Sequence, residues 1–518
     1  MITLLLALAT APIQTPRPTL VVVITVDQLR PGYLVRYRAQ LSGGLARLLE
    51  RGAVFETAFQ DHAVTETAVG HATVLAGRHP ARHGIIRNDA GVQDSTAPLL
   101  NGAGGGASPF RFRGTVLMDW LKVRDLRSRA LSLSIKDRGA ILPLGRTREQ
   151  VYWYAGGELT TSTYYAAALP EWVQAFNARN LPARAAGRSW DLLLGPEAYA
   201  EPDSVPWERA GRDPVFGHRL PLDAAGARTG FPATPFADEY LLAFALEGVQ
   251  RLGLGRGPAP DLLAVSLSST DYIGHRFGPD SREIHDQVLR LDRALGTFLD
   301  SLYRLRDSTR ILVALTADHG VTAIPERTVA LGGGPAERVA DAFAGRMDSA
   351  LAARLGPPDD GRPWVEIDNG LVTLQARALA ARGVSPDSLT RVWVREARAR
   401  PAVLRVDTRR TLAAADTARD PIARRWRHLL PPDVEYAVAI TLRPGSVWAA
   451  PIPAMHGSPH DVDAAVPLII MGPGVRGGRY PGRVGVVDLA PTLARLLDVP
   501  PLEPLDGRVL TEALHPTR

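Results

Sequence analysis

A chain of 518 residues, 45% hydrophobic and 22% charged, can bury a large core and lies far from the compositions that stay disordered. It has no cysteine, which excludes disulfides, thiolate metal ligands and cysteine nucleophiles and leaves His, Asp, Glu and hydroxyls as the only metal donors. The formal charge of +6 is scattered among acids and reads as a solvated basic surface, with no specific nucleic-acid partner expected.

In chain order, Met1–Ala11 is an apolar run that ends in small residues before the proline-rich stretch Pro12–Pro18. It is too short to span a bilayer and reads as the apolar part of a signal peptide, with Ala7-Leu8-Ala9 the preferred cleavage motif. A periplasmic or secreted protein with no transmembrane segment is expected. Leu20–Val26 is apolar throughout, as a buried parallel strand should be, and runs into Asp27. Next, Thr65-Glu66-Thr67-Ala68-Val69-Gly70-His71 offers hydroxyls where a loop enters a helix expected to stop near Gly77. Thr67 is the chosen nucleophile, since a helix amino terminus favours a developing alkoxide. Asn88 follows a loop and can donate its amide to a phosphoryl oxygen; turn formation is its other reading.

Only two of the 60 basic residues are lysines, Lys122 and Lys136, so a retained lysine calls for a reason. In Ser134-Ile135-Lys136-Asp137-Arg138, strand-like alternation would place Lys136 and Arg138 on one side of the chain, as a phosphate clamp requires. Residues 151–235 are rich in Trp, Tyr, Pro and Gly and are expected to form loops and short helices over the site. A second strand, Leu262–Leu267, is read as continuing through Ser268–Thr270 into Asp271, four positions before His275. A long amphipathic helix covers Ile284–Leu305, with Asp280 and Glu283 as its capping pair. A third strand, Ile311–Leu315, leads to Asp318-His319.

From 331 to 450 the pattern becomes an α+β insertion, read as a cap. It has a helix near Ala336–Leu355, a hairpin turning at Asn369-Gly370 and a helix near Ser388–Ala399. The core, 19–330, resumes over 451–518 with His456 in a glycine-proline loop, the strand Val466–Met471 and the helix Val487–Leu497. The alternation of strands and helices predicts an α/β fold, a doubly wound, mostly parallel sheet flanked by helices. Asp27, Asp271, His275, Asp318, His319 and His456 then gather near the carboxyl ends of its strands. Three aspartates and three histidines match the donors of two neighbouring Zn2+ ions, with the Thr67 hydroxyl as a seventh.

The Asp27 strand, Thr67-x-x-Gly70-His71, Asp271-x-x-x-His275, Asp318-His319-Gly320 and His456-Gly457 together resemble the two-metal pattern of the alkaline phosphatase superfamily. Ser134–Leu144, Thr161–Tyr165, Ser268–Pro279 and Asp318–Pro325 resemble its phosphate-irrepressible bacterial members that use threonine. The resemblance runs from about 19 to 515 and is weakest in the insertion. It implies one zinc held by Asp271, His275 and His456, and a second held by Asp27, Asp318, His319 and the Thr67 oxygen. Asn88, Lys136 and Arg138 would hold the non-bridging phosphoryl oxygens. The implied activity is hydrolysis of small-molecule phosphate monoesters to alcohol and inorganic phosphate through a phosphothreonine. The alternative is a nucleotide pyrophosphatase/phosphodiesterase of the same superfamily, against which the Lys136 and Arg138 pair weighs. Two positions depart from the pattern: Ala68-Val69 replaces a usual proline, and Asp89-Ala90 follows Asn88 where an aromatic is usual. The oligomeric state is left open.

Overall fold

The computed structural model describes residues 17–208 and 215–516, so the expected leader over Met1–Ala11 lies outside them. Seven strands of the principal sheet precede the insertion: β1 (Leu20–Val26), β2 (Ala53–Phe59), β3 (Ala130–Ser134), β4 (Gln150–Ala155), β5 (Glu158–Thr160), β6 (Asp261–Leu267) and β7 (Ile311–Thr316). Four strands within it form a second sheet: β8 (Val365–Asp368), β9 (Leu371–Leu374), β10 (Val403–Asp407) and β11 (Tyr436–Leu442). Two follow, β12 (Ala465–Met471) and β13 (Gly478–Gly485).

The principal sheet has the order β13-β2-β12-β7-β1-β6-β3-β4-β5. At its centre β1 is parallel to both β6 and β7, and β3 and β4 continue the parallel run. β12 is antiparallel to β7 and β2, and β5 is antiparallel to β4. Every residue of β1, β6 and β7 is buried, which is why these strands read as unbroken apolar runs with no alternation. The α/β class expected from the sequence is the observed one.

Several boundaries differ from expectation, each for a local reason. β6 ends at Leu267, and Asp271 and His275 ride on the helix Ser269–Phe277, so their spacing of four puts them on one helical face. The long helix starts at Arg282 behind Ser281, whose side chain accepts from the Ile284 amide. Glu283 is buried against His218 and does not cap. Gln150–Ala155 and Glu158–Thr160, within a stretch expected to be loops, form the sheet edge, because Tyr152 and Trp153 pack inward. Arg338–Val339 forms a short strand and the expected helix begins only at Ala342. The helix that begins at Thr67 ends at Val74, short of Gly77.

Residues of the insertion build a separate sheet, β8-β9-β11-β10, over its own buried cluster that includes Trp364, Val372, Leu379, Trp393 and Val438. The hairpin between β8 and β9 turns at Asn369 and Gly370, both at positive φ (+44° and +87°), as a two-residue turn of this kind requires. A third cluster joins the two bodies: Val64, Val69 and Ile86 of the first pack on Leu371, Leu412, Trp426 and Ala439 of the second. Val69 belongs to the helix Thr67–Val74, so this second sheet is seated beside that helix. Among the described residues no helix is long and apolar enough to cross a membrane.

Candidate active site

Three central strands deliver carboxylates to one place. Asp27 follows β1, and its amide donates to the Leu267 carbonyl at the end of β6 (2.9 Å), which continues the sheet ladder one residue past the strand. Asp271 and His275 stand on the helix after β6, and Asp318 and His319 follow β7. Asp27, Asp318 and His319 are fully buried, and Asp271 is 2% exposed. His456 enters from the loop before β12, its ring stacked on His319 with centroids 3.7 Å apart.

The ring nitrogens are oriented in the same sense. His275 Nδ1 lies 2.8 Å from the Ala454 carbonyl, His456 Nδ1 2.7 Å from that of Thr65, and His319 Nδ1 2.9 Å from that of Gly320. A carbonyl can only accept, so each Nδ1 carries the proton and each Nε2 lone pair is free to face the carboxylates. Asp271 Oδ1 is 3.2 Å from His275 Nε2 and 3.7 Å from His456 Nε2, and these three donors form one compact set. Asp27, Asp271 and His319 form a second, with His319 Nε2 3.4 Å from Asp27 Oδ1. Asp318 flanks that second set, its Oδ2 3.6 Å from His319 Nε2.

Asp27 Oδ1 and His319 Nε2 are buried without a hydrogen-bond partner, while Asp27 Oδ2 and Asp318 Oδ2 make ion-pair contacts with Lys136 (2.6 Å) and His71 (3.2 Å). Leaving such groups dry and unpaired is costly. Burial and the neighbouring Asp271 and Asp318 charges hold the Asp27 carboxyl well above its usual range, although Lys136 opposes them. Burial, then the charge of His319, holds His456 well below the ordinary imidazole value, which keeps it neutral. Three carboxylates crowded together with three imidazole Nε2 atoms, several of them without a hydrogen-bond partner, are a donor set suited to divalent cations of the zinc type.

Thr67 is the first residue of the helix Thr67–Val74, and its neighbours tie it to separate parts of the chain. Thr65 Oγ1 donates to the Ser458 carbonyl (3.0 Å) and receives the Gly457 amide (3.2 Å), which anchors the His456 loop. Glu66 Oε2 accepts the Asn88 amide at 2.6 Å, and Glu66 Oε1 accepts from Asn369 Nδ2 on the second sheet's hairpin. Asn88 Oδ1 in turn accepts the Ala68 amide at 2.9 Å, which ties it to the turn that carries Thr67. His71 Nδ1 reaches the Thr67 carbonyl (2.8 Å) and Asp318 Oδ2 (3.2 Å). Gly70 permits this approach: a Cβ there would stand 2.2 Å from the Asp318 carbonyl oxygen.

Lys136 is 6% exposed. Its ammonium lies 2.6 Å from Asp27 Oδ2, 2.5 Å from Asp271 Oδ2 and 3.2 Å from Thr67 Oγ1. Burial alone would depress this ammonium, but Asp27 and Asp271 outweigh it and raise its pKa. The Tyr272 ring lies 5.4 Å away. Strand alternation does not align Lys136 with Arg138. β3 ends at Ser134, Lys136 is the amino-terminal cap of the helix Asp137–Ile141, and Arg138 sits in its first turn. Arg138 Nε is buried without a partner, and Asp137, Asp27 and Asp271 raise the pKa of its guanidinium against burial.

All ten residues singled out from the sequence thus fall around one centre, with Asn88 and Arg138 at its rim. Sequence reasoning missed four positioning residues: Gln28, Thr65, Glu66 and Asn369. Gln28 holds a strained left-handed backbone (φ +66°), donates its amide to Asp318 Oδ1 (3.1 Å) and its side-chain NH2 to Asp271 Oδ1 (2.7 Å). Its only signal was its place directly after Asp27.

Comparison with known proteins identifies the surroundings of this centre. The profile of the type I phosphodiesterase / nucleotide pyrophosphatase family matches residues 21–334. Alkaline phosphatase PhoK of Sphingomonas sp is 32% identical over 519 residues, 95% of this chain and 91% of that one. Alkaline phosphatase PafA of Elizabethkingia meningoseptica is 29% identical over 543 residues, 96% of this chain and 95% of that one. The crystal structure of wild-type PafA superimposes with a TM-score of 0.88, 29% identity and coverage of 96% of this chain and 99% of that one. A solved PafA variant carries a threonine, an asparagine, a lysine and an arginine changed together. Murine ectonucleotide pyrophosphatase / phosphodiesterase 5, 15% identical with a TM-score of 0.54 over 96% of this chain, shares the fold.

Proposed function

Because this chain belongs to the type I phosphodiesterase / nucleotide pyrophosphatase family, and its near-full-length relatives PhoK and PafA are named alkaline phosphatases, we propose that it hydrolyses phosphate monoesters to alcohol and inorganic phosphate. Thr67 is the nucleophile in this reading: its Oγ1 attacks phosphorus in line, the ester oxygen leaves with the alcohol, and water then cleaves the phosphothreonine and restores the hydroxyl. Asp271, His275 and His456 would hold one zinc ion, and Asp27, Asp318, His319 and Thr67 Oγ1 a second, with Asp271 close enough to serve both. When bound, such ions lower the pKa of the Thr67 hydroxyl and neutralise negative charge on the leaving group.

The observation that carries the reading is the position of Lys136, 3.2 Å from the Thr67 hydroxyl and buried beside Asp27 and Asp271. A buried cation beside the nucleophile suits the extra negative charge of a monoester, whereas a diester carries an esterified oxygen there and would favour an apolar wall. Arg138, with an unpartnered Nε, and the side-chain NH2 of Asn88 supply further donors for non-bridging oxygens. The four residue types changed in the PafA variant recur here as Thr67, Asn88, Lys136 and Arg138, with the same separations between threonine and asparagine and between lysine and arginine. Glu66 and His71 fix the turn that carries Thr67, and neither needs to exchange a proton with substrate. Export to the periplasm or medium is part of the reading and rests on the apolar stretch Ile2–Ala11.

The test is Thr67→Ala in the purified protein, assayed with p-nitrophenyl phosphate and with its bis-ester. Monoester turnover should fall by at least about 10³-fold with the circular dichroism spectrum unchanged. Full monoesterase activity in that variant, or a wild-type preference for the bis-ester, would refute the proposal.

A further inference from the structure

Beside the loop that carries Asn88, the principal body and the second sheet leave a cleft of about 750 Å³. Arg87 and Ala90, which bracket Asn88 in sequence, belong to its wall. Asn88 Oδ1 accepts the amide of Ala68, next to Thr67, so this wall flanks the segment that reaches the active site. Its walls carry six arginines and three carboxylates.

Each carboxylate already has a partner. Asp433 takes both guanidinium arms of Arg113 (3.0 and 2.7 Å), Glu435 pairs with Arg377 at 3.1 Å, and Glu366 pairs with Arg87 at 2.6 Å. Arg362 is drawn to Asp360, outside the wall, at 2.7 Å. Arg111 and Arg146 instead donate to backbone carbonyls, those of Gln93 (2.7 Å) and Phe110. The guanidinium of Arg111 is held 4.1 Å over the Phe110 ring, a half-open aromatic on the same wall. Burial and the charge of Arg87 lower the pKa of Arg111 against the attraction of Asp94. An anion beside Arg111 would relieve its repulsion by Arg87, and the planar five-donor forks of Arg111 and Arg146 on the same wall suit the geometry of a phosphate or phosphonate.

We propose that this cleft is a subsite for a second phosphate-like anion on the leaving alcohol, so that the favoured substrates are monoesters whose leaving group carries another phosphate or phosphonate. The inference rests on the monoesterase reading and adds a substrate class to it. The decisive residues are Arg111 and Arg146, which lie outside the reaction centre.

The experiment compares 4-methylphenyl phosphate with 4-(ω-phosphonoalkyl)phenyl phosphates bearing one to four methylenes. The phosphonate P–C bond resists hydrolysis, so only the ester is cleaved. With the full chain, kcat/KM at the best tether length should exceed that of 4-methylphenyl phosphate by about tenfold, and 0.5 M salt should shrink this advantage. In the Arg111→Ala/Arg146→Ala variant the advantage should fall below about threefold, while 4-methylphenyl phosphate is turned over within about twofold of wild type. A ratio that is the same in wild type and variant, whether total activity is kept or lost, overturns the subsite, as does the absence of any tether-dependent preference. Wild-type failure to hydrolyse 4-methylphenyl phosphate is a different result: it overturns the monoesterase reading and the subsite falls with it.

Discussion

The ligand cluster at the strand ends and the hairpin tip of the second sheet both reach Thr67, but they are held by different physics. Asp27, Asp318 and His319 lie within three residues of the ends of β1 and β7, and a continuous hydrogen-bonded ladder fixes those ends relative to β6. Asn369 reaches Glu66 across 303 residues of sequence, from a sheet with its own buried cluster, through one side-chain hydrogen bond and the apolar seam of Val69, Leu371 and Trp426. The candidate metal donors are therefore fixed by the central ladder of the sheet, while the placement of the turn that carries Thr67 depends on how a second body docks. Gly457 (φ +111°) strengthens the point: a Cβ there would meet the Asn369 side chain 2.5 Å away, so the same hairpin abuts the loop that carries His456.

The largest effect should come from attacking the cluster itself. Dialysis against a chelator should abolish monoester hydrolysis, and zinc should restore it, with metal content measured on the same samples. The Tm should also fall, because three buried, crowded carboxylates would lose the ions that offset their mutual repulsion, with Lys136 and Arg138 compensating only part of it. Unchanged activity in metal-free protein would sink the contrast between the two regions. Lys136→Ala comes next, with an expected loss of roughly 10²–10³ in kcat/KM for p-nitrophenyl phosphate, since it removes a preorganised cation 3.2 Å from the nucleophile.

A smaller effect belongs to the hairpin. Asn369→Ala should cost about tenfold in kcat with metal content intact, and the loss should vanish when Asn88→Ala is already present, because the Asn369–Glu66–Asn88 chain then has no donor to place. Equal losses in both backgrounds would mean that the hairpin acts by another route. The smallest effect is on stability against pH. Burial, then the charge of His79, pushes the His62 pKa down to about 3. A histidine whose folded pKa lies below its unfolded value of about 6.5 contributes stability above pH 6.5 that is lost as pH falls toward 3. His62→Gln should therefore flatten the wild-type fall in Tm between pH 6.5 and 4; parallel Tm curves would show that His62 is not held neutral.

Much of the principal sheet was legible because burial on both faces writes itself as β-branched runs, and the acids that follow such runs mark strand ends. Arg138 was found for an incorrect reason: alternation suggested it, whereas a helix turn places it. Tyr152 and Trp153 were misread as loop residues because the turn-rich sequence around them masked a short edge strand. Glu66 and Asn369 carried only local meanings, a residue between two threonines and a turn former, since nothing in their own neighbourhoods records the partner.

By itself, then, the order of residues determined the kinds of donors, their attachment to strand ends and the choice of a hydroxyl over a thiol, because these follow from periodicity and composition within a few residues. Only the tertiary structure decided which carboxylates share a centre, which ring nitrogens face it, how Glu66 links Asn88 to Asn369 and where the arginine-lined cleft opens. Those are contacts between segments hundreds of positions apart, set by the packing of two separate sheets, and no local pattern encodes the distance between them.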